Sequence, residues 1–194
     1  GDPARYSGIP QKANKGIILC TDWSKAEEVF TSETEGNTQG KLWKWLPKDS
    51  FVRRDTAHNG HICKITIKSI WGGESTLYLD TVAGFKLNDQ RGESSWYDFI
   101  HVDEPVPEDM WKAYSRGLID TNGKAWFTCT PLREPWINKF FLPSNRFVLD
   151  DKKANFFSDK KVVIVGASTD NPYVSEEGIK DFVDGLNERE KGAR

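Results

Sequence analysis

The stretch YDFIHVDEPVPEDMW, residues 97–111, decides the fold. Its first half is apolar at successive rather than alternating positions, as a strand covered on both faces must be. It then stops at two adjacent acids, Asp103 and Glu104. The second half opens a helix: Pro107 suits a first turn, Glu108 and Asp109 favour its positive end, and Met110, Tyr114 and Leu118 recur every four residues. In an open α/β sheet ligands gather at the carboxyl ends of the strands. A strand ending in Asp-Glu therefore delivers both acids to such a site while its apolar body stays buried.

Four more runs read as strands: 16–22 (GIILCTD), 75–82 (STLYLDTV), 125–132 (AWFTCTPL) and 162–169 (VVIVGAST). Several are again continuously apolar, so the expected fold class is α/β, a mostly parallel sheet flanked by helices on both sides. Residues 51–69 add a β-hairpin at the sheet edge. Asn59-Gly60 suits a two-residue type I′ turn, and Cys63, Ile65 and Ile67 alternate with Lys64, Thr66 and Lys68, giving one wet face. A helical region from Lys25 to Leu46 is interrupted by TEGNTQGK, and a closing helix is capped by Ser175, with Ile179, Phe182, Val183 and Leu186 as its apolar stripe.

At 194 residues the chain suffices for one sizeable core or a large piece of a bigger domain. Its 37% hydrophobic and 29% charged residues, with eight Trp and eleven Phe, describe a globular protein rather than a disordered one. No apolar run approaches the roughly 20 residues that span a bilayer, and residues 1–15 lack the core of a signal peptide, which places the protein in a cytoplasm, without membrane. Three cysteines, an odd number, suit buried thiols better than a disulfide framework. His58, His61 and Cys63 lack a fourth ligand, so the turn explains them better than zinc does. His101 reads as a packed, hydrogen-bonded histidine. No serine lies in a nucleophile elbow, and the basic pairs Arg53-Arg54, Lys64 and Lys68, Lys152-Lys153 and Lys160-Lys161 read mostly as solvated faces. Any DNA contact they make is phosphate-driven and salt-dependent.

The chemistry then rests on two strand tips. In nucleotide-hydrolysing α/β motors the first acid holds the water shell of Mg²⁺ and the second orients and deprotonates the attacking water, roles that Asp103 and Glu104 fit in that order. The next strand ends Thr128-Cys129-Thr130-Pro131, whose hydroxyls could sense a terminal phosphate. The bland alternatives are an acid-rich helix start and threonines chosen for β propensity. Gln90 and Arg91, in the loop before the acid strand, face nucleotide or DNA, or simply solvent.

The succession YDFIHVDEPVPEDMWKAYSRGLIDTNGKAWFTCTPL, residues 97–132, resembles the ATPase domain of the large terminase subunit of tailed bacteriophages. The resemblance covers roughly residues 70–194, and the stretch from 16 less specifically. It implies a P-loop NTPase-like fold of the RecA type and a single, partial ATPase domain over 1–194, with residues 170–194 leading to a linker. It implies ATP and Mg²⁺ as cofactors, with Asp103 as the Mg²⁺ partner and Gln90 and Arg91 as further nucleotide contacts. Glu104 becomes the catalytic carboxylate, Thr128 and Thr130 link nucleotide state to movement, and Arg116 is a phosphate contact or a packing residue. The implied partners are double-stranded DNA, a portal, a small terminase subunit and further copies of the chain, in the cytoplasm of a bacterial host.

One part of that pattern is missing. No glycine-rich loop with Lys and Ser or Thr occurs; the nearest string, GNTQGKL at 36–42, is one residue short and places Leu42 where a hydroxyl belongs. In the family the loop precedes the segment resembling GIILCTD, so the expectation is a fragment starting downstream of it and inactive alone. Its phosphate-loop strand lies mid-sheet, so its absence is expected to leave unpaired strand edges. The alternatives are a non-catalytic DNA-binding or assembly module of the same fold, and another P-loop translocase or helicase.

Overall fold

A computed structural model describes residues 11–34, 39–57, 59–87, 95–129 and 134–141, with short pieces at 156–157 and 162–163 and single positions at 175, 177, 180 and 184. The chain divides into two units, Gly1–Glu134 and Pro135–Arg194. The first is built on strand β1 (Lys15–Cys20), whose Gly-Ile-Ile-Leu-Cys run is buried along its length. β1 lies parallel between β4 (Glu74–Thr81) and β5 (Phe99–Asp103), and β6 (Lys124–Thr128) lies parallel beside β5. The hairpin β2 (Phe51–Thr56) and β3 (Ile62–Lys68) pairs antiparallel onto β4, giving the order β2-β3-β4-β1-β5-β6. The expected mostly parallel α/β sheet with an added edge hairpin is thus the observed one. Among the described residues the ladder is continuous, with β6 at one edge.

Because side chains alternate along a strand, β1 feeds two cores. Ile18 and Cys20 join Ile65 and Leu79 under Ala26 and Phe30 of the segment after β1. Ile17, Leu19, Ile100 and Val102 are buried on the opposite side. There the helices α3 (Val82–Leu87) and α4 (Glu108–Ser115) bring in Phe85, Met110 and Tyr114; the Tyr114 ring lies 6.3 Å from Phe85 and 6.0 Å from Tyr97. Each fully buried Ile or Leu contributes about 1.5–3 kcal/mol, so a polar substitution at Leu19 or Ile100 breaks the sheet first.

The region 25–46 is helical in two pieces. Asp22 caps α1 (Trp23–Ala26) by accepting from the Lys25 amide at 2.8 Å, and the chain then widens into a π-helical turn, Glu27–Thr31. Helix α2 (Lys41–Trp45) docks back through the Trp43 indole, which donates to the Thr31 carbonyl at 2.8 Å.

The hairpin turn differs from the expected type I′. The Ala57 amide donates to the His61 carbonyl and the Gly60 amide to that of Ala57, and Gly60 (φ 82°) is left-handed. A three-residue loop of this kind needs positive φ only at its last position, so glycine there suffices.

In the second unit α5 (Pro135–Phe141) is followed by a short antiparallel ladder of β7 (Phe156–Phe157) and β8 (Val162–Val163). The remainder of the strand expected at 162–169 lies outside the described residues. So does the closing helix, apart from helical positions at Glu177, Lys180 and Asp184. Among the described residues no helix is long and apolar enough to cross a membrane.

Candidate functional site

Parallel pairing of β5 with β6 sets Asp103 opposite Thr128, so both tips lie on one rim and on one face of the sheet. The Thr128 hydroxyl donates to Asp103 Oδ1 at 2.9 Å and sits 2.8 Å from His101 Nε2. Its one proton is committed to the carboxylate, so the bond from His101 requires the proton on Nε2. The result is a directional chain, His101 to Thr128 to Asp103. His101 Nε2 and Asp103 Oδ1 themselves are 4.0 Å apart, and the hydroxyl spans that gap.

Aromatic packing holds the imidazole in place. It stacks on Trp126, its register partner, at 5.5 Å and takes the Phe30 ring edge-on at 5.8 Å. Burial lowers the His101 pKa, the Asp103 charge opposes that shift, and the Lys41 ammonium adds to it. His101 at neutral pH is therefore an uncharged donor, not half of an ion pair. Lys41 itself reaches over the Phe30 ring, 5.7 Å from its centroid.

Glu104 sits one residue beyond the strand, exposed, with a left-handed backbone (φ 67°). For a residue with a Cβ that conformation costs about 1–2 kcal/mol. It is held by the Glu104 amide, which donates to the Thr128 carbonyl at 3.0 Å and carries the pairing one step past the tip. Strain of this kind persists only where the surroundings over-determine it, and it concentrates at functional sites.

The other acids of the rim are engaged structurally. Asp22 caps α1. Asp80, buried at the end of β4, accepts from the Thr81 amide and from the Tyr114 hydroxyl, which ties α4 to the sheet. Between them the Cys20 thiol is pushed up to about 12, first by burial and then by the charges of Asp103, Asp22 and Asp80. Among the described residues of the rim, Asp103 and Glu104 are the acids left facing outward.

Of the residues named from sequence, the structure unites Asp103, Glu104 and Thr128. Thr130, Gln90 and Arg91 lie outside the described residues. Arg116 is at the far end of α4, where its neighbour Gly117 accepts from the Tyr97 amide ahead of β5, so it occupies the opposite rim from Asp103. His101 and Lys41 were not read as parts of the site. His101 was within reach, because it precedes Asp103 by two and so shares its face. Lys41 arrives through the docking of α2, for which the sequence holds no local signal.

Asp103 suits a hydrated Mg²⁺, which takes one or two carboxylates and keeps much of its water. Among the described residues no group of three or more His, Cys, Asp or Glu converges to hold a metal by protein ligands alone. The sequence holds no glycine-rich phosphate loop, so among the described residues the donor set fits the ion and not the triphosphate.

The site is thus the carboxyl rim of an α/β sheet carrying an oriented carboxylate, a strained outward glutamate and a bridging threonine. No protein-family model matches the chain, and no curated protein sequence matches it. Among solved structures the chain is similar to the large terminase of a thermophilic bacteriophage, with a TM-score of 0.42 and 14% identity over 61% of this chain. The matched region spans 26% of that protein.

Proposed function

We propose that the chain is part of the ATPase domain of a phage large terminase, an ATP-driven motor that moves double-stranded DNA into a procapsid. The observation that carries this reading is the hydroxyl of Thr128 bonded to Asp103 across neighbouring parallel tips, with Glu104 just beyond. The sequence motifs of residues 97–132 point the same way, and the reading takes nothing from the remote structural likeness. Asp103 would hold a Mg²⁺ ion through its outward oxygen, the bound ion supplying charge neutralisation to the phosphates. Glu104 would orient and deprotonate water. Thr128 would register whether Asp103 is engaged, since one hydroxyl proton cannot serve two acceptors. The phosphate-binding elements would come from a segment other than these 194 residues.

In the parent protein, Glu104→Gln lowers Mg²⁺-dependent ATP hydrolysis by about 10²–10⁴-fold, the usual worth of a positioned general base. Equal rates in the two proteins remove Glu104 from the mechanism. The isolated 194 residues show no appreciable turnover. Robust hydrolysis by them contradicts the assignment of the phosphate site to another segment.

A further inference from the structure

At the rim opposite the acids the sheet gathers cations around an aromatic cluster. The Lys15 ammonium lies over three rings, 5.5 Å from the centroid of Tyr78, 4.8 Å from Trp96 and 5.2 Å from Tyr97. Lys64, the register partner of Tyr78, brings a second ammonium to the same ring, also at 5.5 Å. Lys68, two turns of the pleat further along β3, shares the face of Lys64 and is exposed, and Arg53 pairs in register with Thr66 between them.

Two ammonium groups over one ring repel each other, and each takes only a modest return from the π face. Among the described residues their carboxylate partners are shared or held elsewhere. Asp55 is shared, 3.7 Å from Lys64 and 3.2 Å from Arg53. Asp98, fully buried, takes Lys12 at 3.0 Å and the Lys15 backbone amide at 2.8 Å, so it acts on the Lys15 ammonium only at a distance. Glu74 lies opposite Lys68 at the strand end. Burial first, and then repulsion from Lys64, lowers the Lys15 pKa, and the Asp98 charge opposes the shift.

We propose that this face, with Lys15 and Lys64 about Tyr78, Lys68 beyond and half-exposed Trp96 at its border, is a contact surface for the phosphates of duplex DNA. Phosphates brought to this face neutralise ammonium groups that now repel each other. Because both cations occupy the ring of Tyr78, that ring is closed to a stacking base. Phosphate contact without base stacking suits a duplex better than a single strand. Such contact is independent of sequence and releases counterions in proportion to the phosphates engaged. The duplex is the substrate in the proposed function, so the inference deepens that reading while using none of its nucleotide chemistry.

The test is titration of a fluorescent duplex of about 30 base pairs with the 194-residue chain across a salt series. Wild-type binding in the micromolar range is expected, with a linear log–log salt dependence. Lys64→Gln with Lys68→Gln lowers the magnitude of that slope by about 2 and adding Lys15→Gln by about 3, roughly one unit per phosphate contact. Lys25→Gln, on α1 and paired with Glu28, leaves it unchanged. Should Lys15→Gln disturb folding, seen by circular dichroism, the two hairpin variants carry the result alone. Unchanged slopes in those folded variants overturn the proposal, as does tighter binding of a single strand than of the duplex. Either failure leaves the Glu104 experiment untouched, and loss of hydrolysis in Glu104→Gln says nothing about the salt slope.

Discussion

Replacing Thr128 by valine isolates the hydroxyl that joins the two strand tips. Valine has nearly the same shape and an equal or better preference for strands, so the ladder between β5 and β6 is preserved and the change falls on two hydrogen bonds. One runs from a neutral imidazole and is worth about 1 kcal/mol; the other ends on a carboxylate, where about 1.5–3 kcal/mol is usual. The side chains of His101 and Asp103 are 16% and 19% exposed, so water replaces part of what is lost. The expected cost is about 1–2 kcal/mol, which for a chain of this size lowers the melting temperature by roughly 3–6 °C. Urea unfolding followed by tryptophan fluorescence measures it, with Thr128→Ser as the control that keeps the hydroxyl and gives up one methyl. A nitrogen NMR spectrum of the imidazole supplies a second reading, since the Nε2-protonated form should dominate in the native protein and lose that bias in the valine variant. Valine and serine variants of equal stability, with the same His101 tautomer, would refute the bridge.

Two other consequences follow from buried groups. The Cys20 thiol, raised to about 12, stays protonated in the native state while the unfolded chain loses that proton near pH 9. The native state thus holds more protons above pH 9, and stability is lost with rising pH from there towards 12, by up to about 1.4 kcal/mol per pH unit. Cys20→Ala should remove that component, seen as the difference between the two unfolding curves at about pH 8 and about pH 10.5, either side of the unfolded thiol's titration; parallel curves contradict it. At Gly117 an added Cβ would lie 2.1 Å from the Ser95 carbonyl oxygen, whereas at Gly60 it meets nothing within 4 Å and only the positive φ resists it. Gly117→Ala should therefore cost well over about 1 kcal/mol, since backbone has to move, and Gly60→Ala about 1 kcal/mol. Comparable chemical midpoints for the two would show that the turn after α4, Arg116–Leu118, does not approach Ser95 so closely.

The sequence showed the buried strands because both faces of each are covered, so apolarity alone marks Ile17 to Cys20 and Phe99 to Val102. It showed the hairpin because Ile65 and Ile67 alternate with lysines. What failed to show depends on contacts made at a distance along the chain. Helix α2 falls within the region read as helical, but where it docks is not local information: the Trp43 indole finds the Thr31 carbonyl at the end of the π-helical turn. The turn at Asn59-Gly60 was misread in type because the dipeptide is compatible with two loops, and the pairing of Ala57 with His61 selects the longer one. Arg116, implied by the resemblance to be a phosphate contact or a packing residue, is carried by α4 to the other rim.

The same distinction sorts the acids. Asp22, Asp80, Asp103 and Glu104 all come to the carboxyl rim, and composition gives no reason to prefer any of them. Geometry does: Asp22 holds the first turn of α1, and Asp80 is buried against an amide and a phenol. Asp103 is different in kind, because its partner is a hydroxyl that must choose between acceptors, and Glu104 is different again, because the backbone is strained to set it outward. That contrast carries the functional reading, and it is legible only when β5 and β6 are seen side by side.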